Sequence, residues 1–298
     1  MKAENVNLLR EALPYINKFA NKVFVIKFGG EVADSPERLF SFCEEVALCH
    51  RVGIRVAVVH GGGKQATELG QKLGVEAKII DGRRVTDEET LEIVKMVYAG
   101  KLNIDILLAL RRAGVHAVGL SGVDGDLITA KRRPPQMIKD DETGKKKKVD
   151  FGFVGDIVEV DPMLIRTLLD KEFVPVVSSL AADDEGNVYN INADTIASAL
   201  AESLQAQKLI LATDVDGILD GNGAPISRLT PVQAKQLIEK NVITGGMIPK
   251  VEGAIRALNR GVRSVHVING TKSGSLLEEI FTEQGAGTMV YDDVPARR

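Results

Sequence analysis

The chain contains no tryptophan, and phenylalanine and tyrosine together make up only 4% of its 298 residues. That leaves little material for the aromatic platforms on which single-stranded bases stack. Charge of one sign is also scarce: 38 Lys and Arg against 41 Asp and Glu give a net charge of -3, with no electrostatic reason to expect nucleic acid as a partner. No apolar run approaches the roughly 20 residues that span a bilayer, so no membrane association is expected. Met1 to Arg10 is polar and charged without an apolar core, so it does not read as a secretory signal. Cysteine is limited to Cys43 and Cys49. Both fall on one predicted helix, roughly 9 Å apart at about 1.5 Å of rise per residue, too far for a disulfide. Buried reduced thiols in a cytoplasmic protein are the simple reading, and a redox pair is the alternative. Four histidines and two cysteines show no metal-ligand spacing, so no protein metal site is expected.

Familiar catalytic signatures are missing as well. No G-x-x-x-x-G-K-[ST] occurs, which excludes a P-loop, and no G-x-G-x-x-G opens a helix. Neither a G-x-S-x-G elbow nor an H-R-D catalytic loop is present.

What is present is a pair of glycine clusters, each at the end of a short apolar run. Val23–Phe28 leads into Gly29-Gly30, and Val56–His60 leads into Gly61-Gly62-Gly63. β-Branched runs followed by glycine read as buried parallel strands turning into helices. Glycine lets backbone N–H groups approach an anion, and a helix N-terminus adds favourable partial charge. Lys27 contributes a full positive charge beside the first cluster. Together these features point to the handling of anions, phosphate above all.

Strands and helices alternate along the rest of the chain. Helices are predicted near 8–19, 36–51 (Ser35 as cap, Pro36 as first position), 64–73, 87–112, from Asp161-Pro162, and at 193–205, 231–240 and 249–260. Strands are predicted at 23–28, 55–60, 115–120, 173–178, 208–212 and 264–268. Pro14 is expected to kink the first helix. That helix either packs on its own domain or binds another subunit. Residues 126–158 read as a hairpin whose tip carries Lys145–Lys148, a solvated tip or a polyanion site. The alternation predicts a mainly parallel sheet between helices, with ligands at the carboxyl ends of its strands.

Three polar clusters carry the chemistry. Asn190, Asn192 and Asp194 fall within five residues at a helix start. N-capping explains one of them but not all three. In Thr244–Lys250, Pro249 suits the first helical position and places Lys250 in the first turn, where a cation opposes the helix dipole unless an anion lies between them. Lys250 could equally be a solvent-exposed lysine. Arg84 is a surface residue or a planar fork for a carboxylate.

Ile26–Gly30, His60–Gly63, Gly82–Thr86, Gly119–Gly122, Tyr189–Asp194 and Gly245–Lys250 occur in this order. In that order they resemble the amino acid kinase superfamily, and within it the arginine-sensitive branch acting on N-acetyl-L-glutamate, over about residues 22–291. The resemblance implies a three-layer αβα sandwich with a central sheet of about eight strands. It implies an oligomerisation helix at 1–21, an acetylglutamate-binding and dimerising lobe at 22–203, and an ATP-binding lobe with an arginine site at 204–298. It implies transfer of phosphoryl from ATP, with Mg²⁺, to the γ-carboxylate of acetylglutamate. By position, Lys27 and Lys250 are similar to the lysines that stabilise the migrating phosphoryl group, and Asp194 to the carboxylate that holds them. Gly29, Gly30, Gly62 and Gly63 are similar to backbone donors. Arg84 and Asn190 are similar to the clamp on the substrate α-carboxylate, with Asn192 nearby. Asp214, Asp216 and Gly217 are similar to part of the nucleotide site. His266, Glu279 and Gly287 fit the pattern of members inhibited by L-arginine, where Glu279 would pair its cationic end or else be an ordinary helix-surface charge. Such members form hexamers of three dimers through an N-terminal helix, and some bind a trimeric PII protein. Arg83, Val123 and the loop near 272–275 depart from the family pattern. A sister activity on N-acetyl-2-aminoadipate or a carrier-linked glutamate is the nearest alternative.

Overall fold

The computed structural model describes residues 3–80, 82–139 and 146–292. Its centre is an eight-stranded sheet built from β1 (Val23–Phe28), β2 (Arg55–His60), β3 (Ala117–Ser121), β4 (Val174–Ser178), β5 (Lys208–Thr213), β6 (Arg228–Leu229), β7 (Ser264–Asn269) and β8 (Thr288–Tyr291). The spatial order is β6-β8-β7-β5-β1-β2-β4-β3. Only the β7–β8 pair is antiparallel. The first four strands in the chain form one half of the sheet and the last four the other, joined where β1 pairs with both β2 and β5.

Register aligns the carboxyl ends. Phe28 lies opposite His60 and Ala212, and Ser178 opposite His60 and Ser121. The loops after these strands therefore emerge at one edge.

Strand alternation sorts the side chains between two cores. Phe24, Ile26 and Phe28 of β1 pack with α2 (Pro36–Arg51), α5 (Asn103–Arg112) and α10 (Ser275–Phe281). Val25 points the other way, into the core shared with α6 (Met163–Asp170), α7 (Ala193–Ser203) and α9 (Met247–Asn259). Lys27, two residues beyond Val25, belongs to that second face. Phe24, Phe28 and Phe42 are fully buried, each contributing about 1.5–3 kcal/mol of apolar burial.

The helix ends follow from local chemistry. Ser35 accepts a hydrogen bond from Arg38 N at 3.2 Å with Pro36 at the first position, as the sequence predicts. Asn192 Oδ1 accepts from Asp194 N and Thr195 N at 2.8 and 3.1 Å, so the exposed Asn192 caps α7. α10 is capped from a distant element: the buried carboxylate of Glu45 on α2 accepts from Gly274 N at 2.7 Å and Leu276 N at 2.9 Å. The first helix, α1, runs over Ala3–Phe19 with Pro14 inside it.

Three expectations need correction. The helix expected at 87–112 is α4 (Glu88–Lys95), a π-helical stretch at Met96–Leu102, then α5. α9 begins at Met247, so Pro249 is its third residue and Lys250 its fourth. Proline is tolerated there because the first four helical N–H groups have no intrahelical acceptor. The hairpin arms expected over 126–158 do pair antiparallel, Ile128–Arg132 with Gly155–Val160, but a second antiparallel pair, Gln136–Lys139 with Lys146–Val149, lies between them and takes up the lysine run. Lys146–Lys148 are exposed strand residues and not a tip, and Lys145 lies outside the described residues. No helix among the described residues is long and apolar enough to cross a membrane.

Candidate active site

The two lysines that the sequence leaves far apart meet at one carboxylate. Lys27 Nζ is ion-paired with Asp194 Oδ1 at 2.7 Å, and Lys250 Nζ with Asp194 Oδ2 at 2.7 Å. Each partner comes from a different element on the same face of the sheet: the end of β1, the first turn of α7 and the start of α9. The three side chains are 11%, 21% and 21% exposed, enough to admit a ligand but too little for free hydration. Burial alone would push the Asp194 carboxyl up. The ammonium groups of Lys27 and Lys250 outweigh that and hold it well below the usual carboxylate range. Its place in the first turn of α7 favours the same charge. Two cations face one anion, so the cluster carries a surplus positive charge at the sheet's carboxyl edge.

The glycine clusters flank this cluster. A Cβ on Gly29 would lie 2.4 Å from the Glu31 carboxylate and 3.8 Å from Lys27 Nζ, so the first loop passes beside the lysine head group. Gly62 is the N-cap of α3 (Gly63–Lys72) and has no side-chain cap. A Cβ on it would meet the Tyr98 ring at 2.9 Å, so the turn requires glycine to pack against the π-helical stretch. π-Helical turns recur at functional sites. The two loops are tied together by a contact the sequence did not reveal: Gln65 Nε2 donates to Gly30 O at 3.0 Å and Ala33 O at 3.2 Å. Lys64 pairs with Asp34 across the same gap.

Arg84 lies beside the second glycine loop. Its Nη2 donates to Gly63 O at 2.8 Å and Thr67 Oγ1 at 2.6 Å. Asn190 Nδ2 donates to Thr86 Oγ1 at 3.1 Å, and Thr86 is fully buried. Thr86 closes the Gly82–Thr86 motif, whereas Thr67 has no motif signal, because only the folded chain shows that Arg84 finds its hydroxyl. Asn192 is engaged in capping, as described.

On the other half of the sheet, the turn after β5 is held by Asn269, which donates to Asp214 O at 3.3 Å and Asp216 Oδ1 at 2.7 Å. Lys272 pairs with Asp216 at 2.7 Å. Gly217 has φ +121°, and a Cβ there would sit 2.7 Å from Thr288 Oγ1, so the turn demands glycine. His266, Glu279 and Gly287 also come together, but in the core. His266 Nδ1 donates to Glu279 Oε1 at 2.5 Å, and Ala286 N and Gly287 N donate to Glu279 Oε2 at 2.8 and 2.9 Å. Lys208 Nζ and Ser264 Oγ approach His266 Nε2 at 2.8 and 2.9 Å. Glu279 is thus not a helix-surface charge: its side chain is 5% exposed.

The profile of the Amino acid kinase family matches residues 22–269. An acetylglutamate kinase of Methanocaldococcus jannaschii is 46% identical over 97% of this chain and 97% of its own length. One of Methanothermobacter thermautotrophicus is 44% identical over 97% and 100%. Among solved structures, N-acetylglutamate synthase of Neisseria gonorrhoeae, complexed with coenzyme A and N-acetylglutamate, superposes with a TM-score of 0.83 at 28% identity over 97% of this chain, which spans 64% of the synthase chain. The same synthase complexed with coenzyme A and L-arginine gives 0.81 at 26% identity. The sheet, the paired lysines and these relatives agree: the chain belongs to the amino acid kinase family, among its ATP-dependent acetylglutamate kinases.

Proposed function

We propose that the chain transfers the γ-phosphoryl group of ATP to the side-chain carboxylate of N-acetyl-L-glutamate, yielding ADP and an acyl phosphate for arginine biosynthesis. The observation that carries this reading is the Lys27–Asp194–Lys250 cluster, a surplus cation at the sheet's carboxyl edge. The acceptor carboxylate is already ionised at neutral pH, so no general base is required. One of its oxygens attacks the γ-phosphorus while the bond from that phosphorus to the β,γ-bridging oxygen breaks, and ADP leaves with the electron pair. The remaining obstacle is bringing anions together in line, which positioning and charge neutralisation overcome. In this reading Lys27 and Lys250 neutralise the migrating group, and Asp194 keeps both ammonium groups aimed at it. Gly29, Gly30, Gly62 and Gly63 direct backbone N–H groups at phosphoryl and carboxylate oxygens. Arg84 and Asn190 hold the α-carboxylate, and the Asp214–Gly217 turn receives the nucleotide. Among the described residues no cluster of three His, Cys, Asp or Glu side chains could hold a metal ion. Mg²⁺ is therefore assigned to the nucleotide's own phosphates, where it neutralises charge. Hydroxylamine trapping of the acyl phosphate, with ATP and either acetylglutamate or acetylaminoadipate, tests the assignment. Hydroxamate formed with acetylglutamate by preference supports it, and none formed with that acceptor refutes it.

L-Arginine is proposed as a feedback inhibitor acting near His266, Glu279 and Gly287. One observation supports this: the arginine-complexed synthase shares the fold. α1 ends over this region, with the buried Phe19 ring 5.2 Å from Lys208 Nζ, while Leu13 on α1 is 51% exposed. We assign α1 to assembly of a hexamer. Deleting residues 1–20 should leave turnover and abolish that assembly; a truncated hexamer in sedimentation refutes the assignment.

A further inference from the structure

The Arg84 guanidinium is not simply placed near the glycine loop; it is fastened there by one hydroxyl and one backbone carbonyl. Thr67 Oγ1 donates to Gly63 O at 3.0 Å, one turn back along α3, and accepts from Arg84 Nη2 at 2.6 Å. Arg84 Nη2 also donates to Gly63 O at 2.8 Å. Both hydrogens of Nη2 are thereby committed to the helix, while Nε and Nη1 make no hydrogen bond among the described residues. A threonine hydroxyl has one donor and two acceptor positions, so Thr67 can satisfy the Gly63 carbonyl and the guanidinium together.

The same turn of α3 grips the other glycine loop. Gln65, two residues earlier, holds Gly30 O and Ala33 O through Nε2. α3 therefore spans two structures that must stay in register: the guanidinium that takes the acceptor and the loop that runs beside Lys27. We propose that Thr67 is a positioning residue for the acceptor, fixing Arg84 so that Nε and Nη1 face the carboxylate of the incoming acetylamino acid. This deepens the kinase reading above and rests on it. A guanidinium without the Thr67 hydroxyl keeps its charge and its bond to Gly63 O but is held at one point instead of two, so the loss falls on acceptor binding and not on the nucleotide or the phosphoryl transfer.

The experiment is steady-state kinetics on the full chain carrying Thr67→Val, which keeps the shape and removes the hydroxyl, and Thr67→Ser, which keeps the hydroxyl. Wild-type turnover with acetylglutamate is measured first, so failure of the kinase reading shows there, independently of the variants. In Thr67→Val, KM for acetylglutamate should rise about tenfold, with kcat within threefold and KM for ATP within twofold of wild type. Thr67→Ser should return KM for acetylglutamate to within threefold of wild type. An unchanged KM in Thr67→Val overturns the proposal. A Thr67→Ser enzyme with the same raised KM overturns it too, because the effect would then belong to the methyl group's packing. Equal losses toward both substrates also overturn it.

Discussion

Among the described residues two lysine–carboxylate clusters, one partly open and one buried, differ in charge balance. At the carboxyl edge, Lys27 and Lys250 share one anion, Asp194, leaving a cation in excess beside glycine loops. In the other half of the sheet, Lys208, His266 and Glu279 close on themselves. Burial and the nearby Lys208 charge push the His266 imidazole down to about 4, so it is neutral at pH 7, and one lysine balances one carboxylate. Every oxygen of Glu279 is already a hydrogen-bond acceptor. The second cluster is 2–5% exposed at His266 and Glu279, the first 11–21%. An unbalanced, partly open cluster stays costly until an anion arrives. A balanced, sealed one has its charges satisfied without a ligand, and an effector can only act on it by competing with existing bonds.

The comparison can be broken most sharply at Asp194. Asp194→Asn removes the shared anion and leaves two ammonium groups facing each other. kcat should fall by about 10³-fold, and stability by about 3 kcal/mol, read by assay and denaturant unfolding. Asp194→Asn with near-normal turnover would show that the lysines need no holder.

The mirror experiment is Glu279→Gln. One amide cannot accept from His266 Nδ1, Ala286 N and Gly287 N as the carboxylate does, so stability should drop by about 2 kcal/mol. kcat should remain within threefold, and the proposed inhibition by L-arginine should be lost. A turnover loss as large as that of Asp194→Asn would erase the distinction between the clusters.

A further effect is set by pH. Burial pushes His60 and His266 down to about 4 from the ordinary 6.5. Between those values the unfolded chain takes up protons that the folded chain refuses. Stability therefore falls as pH drops from 6.5 towards 4, with both histidines acting in the same direction. His266→Gln should flatten the slope by one proton's worth in thermal melts across pH, and an unchanged slope contradicts the burial argument.

Much of this was legible in the sequence. Strand-to-glycine runs gave the parallel sheet and both cradles, because short apolar runs, glycine and caps such as Ser35-Pro36 act locally. Lys27, Asp194 and Lys250 stood out as candidates, yet their convergence depends on β1 alternation placing Lys27 on the α7–α9 face, which requires the fold. Glu45 capping α10 and Gln65 gripping Gly30 and Ala33 left no trace in the sequence, since a buried carboxylate on an amphipathic helix looks like a solvated one. The π-helical stretch beneath Gly62 was equally hidden, because its residues suit an ordinary helix. The lysine run at 146–148 misled in the opposite direction: strand pairing with 136–139 overrode its turn-like polarity.

The central claim is that the surplus ammonium group neutralises the migrating phosphoryl. Its most direct measurement is the rate of hydroxylamine-trapped acyl phosphate formation by Lys250→Ala at saturating ATP and acetylglutamate, alongside its melting temperature. A fall of about 10³-fold with wild-type melting behaviour is predicted, because the lysine acts on charge that develops between substrates. Turnover within tenfold of wild type would contradict it.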